Sequence, residues 1–429
     1  MHQDDIQDLI SKHDIQWVQL HFIDLIGRLR VLHIEVDQFL DDCIKNGVGF
    51  DGSSVGLSSV EKSDLIVIPD LDTFMVLPYE DDEARVIGNI YTASGEIFAA
   101  DPRMILQKAI AEVKSAGFDG IIASPEMEFY VIDELDETEI ETIERQGYCA
   151  PPSQDRVKPY RKQISELLMG SGYKVKYHHH EKGRQQHEVE IQGMDVLAAA
   201  DYCVYFKNLA KEVARWYDLV VTFMPKPFSD DAGNGMHAHM YLTKDGKNVF
   251  HDQNDPYHLS QTARYFIGGV LAHARGMAAL ANPTLNSYKR LIPHFEAPVY
   301  IAWARHNRSS LIRIPARKEV DVEIRNADPA ANPYLLFAAI LHAGLEGIKN
   351  KITYDPIEKN FYDLEGGTDN IPKLPTDLLT AIEELEKDTI ITNALGKKAV
   401  DLFVQKKRKE WEQYIVETTD LEYKLYFNC

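Results

Sequence analysis

Asn282–Pro315 reads NPTLNSYKRLIPHFEAPVYIAWARHNRSSLIRIP. Asn282-Pro283 opens the stretch as a turn, and Pro293, Pro298 and Pro315 cut it into short pieces. Four arginines (Arg290, Arg305, Arg308 and Arg313) and one glutamate, Glu296, sit among apolar residues. From Tyr300 to Ile314 the alternation predicts half-buried strands rather than a solvated helix. A guanidinium in apolar surroundings requires an anion, because burying it unpaired is very costly. Its planar fork matches carboxylates and phosphates. Structural ion pairs account for one such arginine taken alone; four together point to an anion-handling active site.

Outward from this stretch the mixture of short strands and helices continues, which makes the chain an α+β protein. Helices are predicted at 155–170, 194–216, 258–280 and 331–349. Strands are predicted at 121–132, 173–181, 186–192, 219–224, 236–243, 299–303, 311–314 and 320–325. Residues 133–146 are acidic and read as an exposed excursion. After Asn370 the chain turns helical, and Glu422–Cys429 reads as an aromatic, extended tail. Toward the N-terminus, 1–14 reads as a helix and Gln16–Arg30 as two strands turning at Gly27. Val31–Cys43 is predicted to be helical. A Gly/Ser-rich loop, NGVGFDGSSV, comes next and carries Asp51, with strands at Leu65–Pro69 and Arg85–Tyr91 beyond it. Asp101-Pro102 has the N-cap and Pro-at-N1 pattern of a helix start. The boundary expected there leaves a small domain over 1–100 and a larger one over 101–429.

At 429 residues the chain is long enough for about two or three domains and a sizeable core. Hydrophobic residues make up 45% and charged residues 26%, a globular balance. The net charge of −21 excludes a nucleic-acid partner, since no basic stripe offsets it. The short run Lys406–Lys409 lies in a helical pattern and reads as a solvated face. Cys43, Cys149, Cys203 and Cys429 are scattered and give neither a disulfide framework nor a zinc site. The opening Met-His-Gln-Asp-Asp lacks the features of a signal peptide. The longest apolar run, Tyr334–Leu345, is too short to span a bilayer. A cytoplasmic protein without a membrane partner is expected.

Strands place residues i and i+2 on one face, and here they do so repeatedly with polar groups. Glu126 and Glu128 flank Met127, Glu188 and Glu190 flank Val189, His237 and His239 flank Ala238, and Glu323 and Arg325 flank Ile324. Glu181 closes the run His178-His179-His180. One such pair is an ordinary solvated sheet face; four on otherwise apolar strands predict one shared polar cavity. Carboxylates so gathered need cations to stay ionised. Oxygen-rich ligation with one imidazole suits Mg²⁺ or Mn²⁺. Metal together with buried arginines suggests polyphosphate handling. No G-x-x-x-x-G-K-[ST] is present, so any nucleotide site is not a P-loop.

Over nearly its full length the chain resembles the type I glutamine synthetases. The resemblance is carried by FDGSS (50–54), PEMEF (125–129), HHHE (178–181), QHEVE (186–190), the G-x-G-M-H-x-H pattern at 233–239, the stretch 282–293, EAP (296–298), N-R-S-x-x-I-R-I-P (307–315) and DPAANPY (328–334). It implies a small β-grasp N-terminal domain before a catalytic α+β domain. It further implies a dodecamer of two hexameric rings, with active sites at subunit junctions. ATP would phosphorylate the γ-carboxylate of L-glutamate, and ammonia would then displace phosphate to give L-glutamine. By position, Glu128, Glu181 and Glu188 would hold one Mg²⁺ or Mn²⁺, and Glu126, His237 and Glu323 a second. Arg290, Arg325 and the backbone of Gly233 match binders of glutamate. Arg308 and Arg313 match the arginines on the phosphates, and His239 lies at the nucleotide site. Asp51 matches the residue that takes a proton from ammonium across the junction; Ser54, Tyr148, Glu181 and Glu296 complete the ammonium pocket. Glu296 would also act as a lid.

The pattern is broken at a few places. Ala232 stands where the family has an asparagine that touches glutamate, Tyr241 where it has a serine, and His294 where it has a glycine. Lys182–Gln186 reads KGRQQ, without the usual glycine before Gln186. Ser59 replaces the arginine of members under glutamine feedback. Tyr362 falls where some members are adenylylated and reads here as an ordinary loop aromatic. An altered acceptor pocket marks the alternative, a γ-glutamyl–amine ligase on the same fold. A catalytically reduced homologue would lack metal carboxylates, and all six metal positions match.

Overall fold

The computed structural model describes residues 1–132, 147–292, 297–317, 319–362 and 370–429. The excursion predicted at 133–146 lies outside them. After helix α1 (Gln3–His13), strands β1 (Trp17–Ile23) and β2 (Leu29–Glu35) pair antiparallel across a turn where Gly27 takes φ +81°. The helix expected from Val31 begins only at Val36, because Val31–Glu35 are committed to the ladder with β1. Tertiary pairing outweighs local propensity there. Strands β3 (Val48–Asp51), β4 (Asp64–Val76) and β5 (Glu83–Thr92) complete a five-stranded sheet in the order β2-β1-β5-β4-β3, with β1 and β5 parallel.

Asp101 caps α2 (Pro102–Ser115), accepting the Arg103 N–H at 2.9 Å, with proline at the first position. Arg103 is 2% exposed and ties the small sheet to a helix of the larger domain. It donates to Asp70 on β4 and Asn89 on β5, and to Asp201 on helix α4 (Val196–Trp216). The second sheet is built on β6 (Gly120–Ile132), β7 (Val175–His180), β8 (Gln186–Ile191), β11 (Met236–Lys244), β13 (Trp303–Arg305), β14 (Ile312–Ile314) and β15 (Val322–Ile324). Its order is β13-β14-β15-β11-β6-β8-β7, with the short β9 (Met194–Asp195), β10 (Val220–Thr222) and β12 (Lys247–Asn248) at its margins. Helix α3 (Lys158–Gly170) lies between β6 and β7 in the chain.

The helix predicted at 258–280 is two, α5 (Gln261–Ala272) and α6 (Ala274–Ala281). The strand predicted at 299–303 appears later, as β13. After the single turn α7 (Ser287–Arg290), the apolar run predicted as a helix is α8 (Pro333–Asn350). Helices α9 (Leu378–Lys387), α10 (Thr389–Leu395) and α11 (Lys397–Ile415) come after it. The C-terminus is not extended: α12 spans Asp420–Tyr426, started by a capping box between Thr419 and Glu422. Its side chains lie on the surface, with Leu421 62% and Leu425 61% exposed. Among the described residues no helix is long and apolar enough to cross a membrane.

Candidate active site on the large sheet

Strand register assembles the site. His237 on β11 lies opposite Glu126 on β6, and His239 opposite Glu323 on β15. Glu323 in turn faces Arg313 on β14, while Glu128 on β6 faces Glu188 on β8, and Glu188 faces His179 on β7. A cavity of about 790 Å³ lies over this face. Its walls include the predicted Glu126, Glu128, Glu181, Glu188, His237, Gly233, Tyr148, Arg290, Arg308, Arg313 and Arg325. Glu323 and His239 are not in the wall but are buried next to it, 0% and 2% exposed, paired with the wall residues Arg313, Arg325 and Glu126. Asp51 and Ser54 are not among the residues lining this cavity. Asp51 ends β3 on the surface, where its carboxylate accepts the hydroxyls of Ser53 and Ser54 and is held down at about 2. Glu296 and His294 lie outside the described residues.

Three of the four arginines of 282–315 reach this cavity. Arg290, 2% exposed, donates to the carbonyls of Asn326 and Arg325 and packs on Gly233, where a Cβ would strike its side chain. Arg325 and Arg313 both pair with Glu323. Arg305 points elsewhere: it donates to the Pro256 carbonyl and lines a separate cavity of about 270 Å³.

Burial would neutralise Glu323, but Arg325, His239, His237 and Arg313 hold it ionised, at about 2. Burial also opposes the imidazolium of His239, yet Glu126, Asp321 and Glu323 raise it to about 10. Desolvation drives His237 down to about 4, helped by Arg325. On the other flank, Glu188 is pushed well above the carboxylate range by burial, then by Glu126, Glu181, Glu128 and Glu190. Its Oε1 is buried without a hydrogen-bond partner. Glu128 is raised to about 7 by burial and by Glu181, against the Gly235 N–H and Arg290. An orphaned carboxylate oxygen amid four further carboxylates is a site short of cations, so this donor set fits divalent metal ions.

Ligating atoms within 4.8 Å of one another group Glu126 with His239 and Glu323, and Glu181 with Glu188 and His179; a further group joins Glu126, Glu188 and Glu190. The resemblance had placed His237 and Glu128 in these sets. His237 Nδ1 lies 3.5 Å from Glu126 and 3.8 Å from Glu323. Glu128 accepts from Gln186 at 2.9 Å and from the Gly235 N–H at 2.6 Å. Sequence reasoning passed over Asp321, which lies 3.3 Å from His239 Nδ1 and pairs with Arg317, itself in the cavity wall. Asp321 precedes Glu323 by two residues, so the same strand periodicity pointed to it.

The family model described as "Glutamine synthetase, catalytic domain" matches residues 99–426, and that described as "Glutamine synthetase, beta-Grasp domain" matches residues 14–93. A glutamine synthetase of Thermotoga maritima is 42% identical to the chain, over 98% of each. One of Thermus thermophilus is 39% identical over 96% of each. Among solved structures, "GmaS/ADP complex-Conformation 1" superposes with a TM-score of 0.91 at 30% identity, covering 98% of this chain and 99% of that one. A Plasmodium falciparum glutamine synthetase gives 0.89 at 26% identity, covering 99% of both chains.

Proposed function

The chain belongs to the glutamine synthetase family, and on that premise we propose how its residues divide the reaction. It is an ATP-dependent ligase that joins ammonia to the γ-carboxylate of L-glutamate, giving L-glutamine, ADP and phosphate. The observation that carries the residue assignment is Glu323, a buried carboxylate wedged between Arg313 and Arg325 and facing His239 across the ladder. Anions and cations interleave there as a polyphosphate and a carboxylate substrate require.

Glu128, Glu181 and Glu188 would hold one divalent ion, and Glu126, His237 and Glu323 the other; the oxygen-rich donors favour Mg²⁺ or Mn²⁺. When bound, such ions neutralise phosphate oxygens during γ-phosphoryl transfer. Arg308 and Arg313 hold the ATP phosphates, with His239 at the nucleotide. Arg290, Arg325 and the backbone of Gly233 hold glutamate. Tyr148 and Glu181 face the ammonium, with Ser54 and Asp51 of the partner subunit, whose carboxylate draws its proton away. To Glu296, which lies outside the described residues, the resemblance gives the part of a lid that keeps water from the γ-glutamyl phosphate. The small domain takes 1–100 and the catalytic domain 101–429, a division supported by the extents of the two family models. We assign the enzyme to the cytoplasm as a dodecamer of two hexameric rings. The exposed apolar side chains of α12 and the placement of Asp51 outside its own chain's cavity support assembly.

The test is phosphate release from ATP with Mg²⁺ and glutamate, with ammonium or methylamine as acceptor. Glutamine formation with a higher kcat/KM for ammonium is expected. A higher value for methylamine would transfer the assignment to the alternative, a γ-glutamyl–amine ligase on the same fold.

A further inference from the structure

Two departures from the family pattern, the KGRQQ segment and Asp231-Ala232, lie far apart in sequence and are bonded to each other. Arg184 gives its backbone N–H to Asp231 Oδ2 at 2.9 Å and its Nε to the same oxygen at 3.2 Å. Its Nη2 donates to Asp230 Oδ1 at 2.7 Å, and its guanidinium lies over the Phe228 ring, 5.3 Å from the centroid. The other oxygen of Asp231 accepts the Ala232 N–H at 2.8 Å. One carboxylate therefore joins Arg184 to the backbone of the residue that replaces the glutamate-binding asparagine.

The same segment is fixed from its other side. Tyr130 donates its hydroxyl to the Ala232 carbonyl at 2.8 Å, across a gap that only Gly183 leaves, since a Cβ there would strike that hydroxyl. Gln186 donates to the Gly233 carbonyl at 3.0 Å and to Asn234 at 3.1 Å. The N–H groups of Asn234 and Gly235 go to the Pro225 carbonyl and to Glu128. Among the described residues, the N–H of Gly233 has no acceptor, and Gly233 stands in the cavity wall beside Arg290. A backbone donor left open beside a buried guanidinium is a place for a carboxylate.

We propose that Arg184 is a positioning residue for the amino-acid substrate: through Asp231 it sets the Ala232–Gly233 backbone so that the Gly233 N–H meets the substrate's carboxylate. With no asparagine at 232, the open Gly233 N–H is a donor that this segment still offers the substrate. The inference rests on the glutamate site assigned above. Arg184 is not in the cavity wall, so it acts only through that backbone, and its fork to two carboxylates is not reproduced by lysine.

The test uses the full-length assembled enzyme with Arg184→Gln, Arg184→Lys and Asp231→Asn. In Arg184→Gln the KM for glutamate rises roughly fivefold to tenfold, as for loss of one uniform-binding hydrogen bond, while kcat and the KM for ATP stay within about twofold. Arg184→Lys falls between. Asp231→Asn keeps an acceptor for the Ala232 N–H but loses the charge pair, gives the same selective rise, and carries the test if Arg184→Gln does not fold. Calorimetric titration of glutamate into each protein reads the same loss without turnover. An unchanged glutamate affinity in either folded variant, or an equal rise in the KM for ATP, overturns the proposal. An unmodified protein that binds glutamate yet forms no glutamine would instead overturn the assigned reaction and leave the binding comparison to decide this one.

Discussion

Glu128 is a carboxyl whose surroundings favour its protonated form. Burial and the Glu181 carboxylate raise it from 4.5 to about 7. An acid raised on folding keeps its proton where the unfolded chain has lost it. Its contribution to stability is therefore full below about 4.5 and is lost as the pH rises through about 7. A divalent ion at this carboxylate must displace the proton, so affinity falls by up to about tenfold per pH unit below the pKa. Calorimetric titration of Mg²⁺ at pH 7, in two buffers of different ionisation enthalpy, is expected to record proton release. Glu128→Gln should reduce that release to what the likewise raised Glu188 supplies, and weaken binding, whereas an affinity that is flat from pH 6 to 8 would remove Glu128 from the metal's surroundings. At this scale the sequence displayed a great deal. The i, i+2 spacing of Glu126 with Glu128 and of His237 with His239 put these side chains on one strand face. It could not give the register that sets Glu126 against His237 and Glu128 against Glu188, because cross-strand partners are fixed by pairing over long separations. Arg305 shows the limit: its alternation matches that of Arg313, but its neighbours turn it toward Pro256.

Helices α5 and α8 cross at glycine. A Cβ on Gly269 would strike the Ala343 carbonyl and the backbone of Gly347, and one on Gly344 would enter the Phe266 ring. Alanine at 269 gains about 1 kcal/mol of helix propensity. The obstructing atoms are backbone and cannot swing aside, so the overpacking cost of about 1–3 kcal/mol prevails. Gly269→Ala is expected to lower the melting temperature at a fixed chain concentration; an unchanged value would mean that the helices separate without loss. Elements were legible where local signals agreed, as with the Asp101-Pro102 cap of α2 and the apolar run of α8. They were misread where a distant partner decided, as at Val31–Glu35, which β1 draws into the sheet. The C-terminal helix is a different case. Thr419-Asp420-Leu421-Glu422 is a capping-box spacing, and the aromatic character of the tail hid it.

In the whole molecule the assigned machinery is divided between the two sheets. The proposed metal ligands lie on strands of the large sheet or, for Glu181, directly after β7, whereas Asp51 ends β3 of the small one, exposed, its carboxylate bonded among the described residues only within its own loop. A carboxylate held ionised by two serines attracts ammonium, and among the described residues it does not line the cavity that its own chain's arginines and metal carboxylates share. If it serves a neighbour's cavity, each active site needs two chains. Asp51→Asn should then abolish glutamine formation while ATP and Mg²⁺ still bind, since it touches neither. Glu323→Ala should abolish it by removing the carboxylate between Arg313 and Arg325. Neither variant alone can form a complete junction. In rings assembled from equal amounts of both, about a quarter of heterologous junctions would join an intact Asp51 loop to an intact Glu323 cavity. Activity near that fraction of the unmodified enzyme is expected, with mixed composition established by mass spectrometry of the intact assembly. Inactive rings of proven mixed composition would mean that Asp51 serves its own chain, and the junction would lose its part in the chemistry.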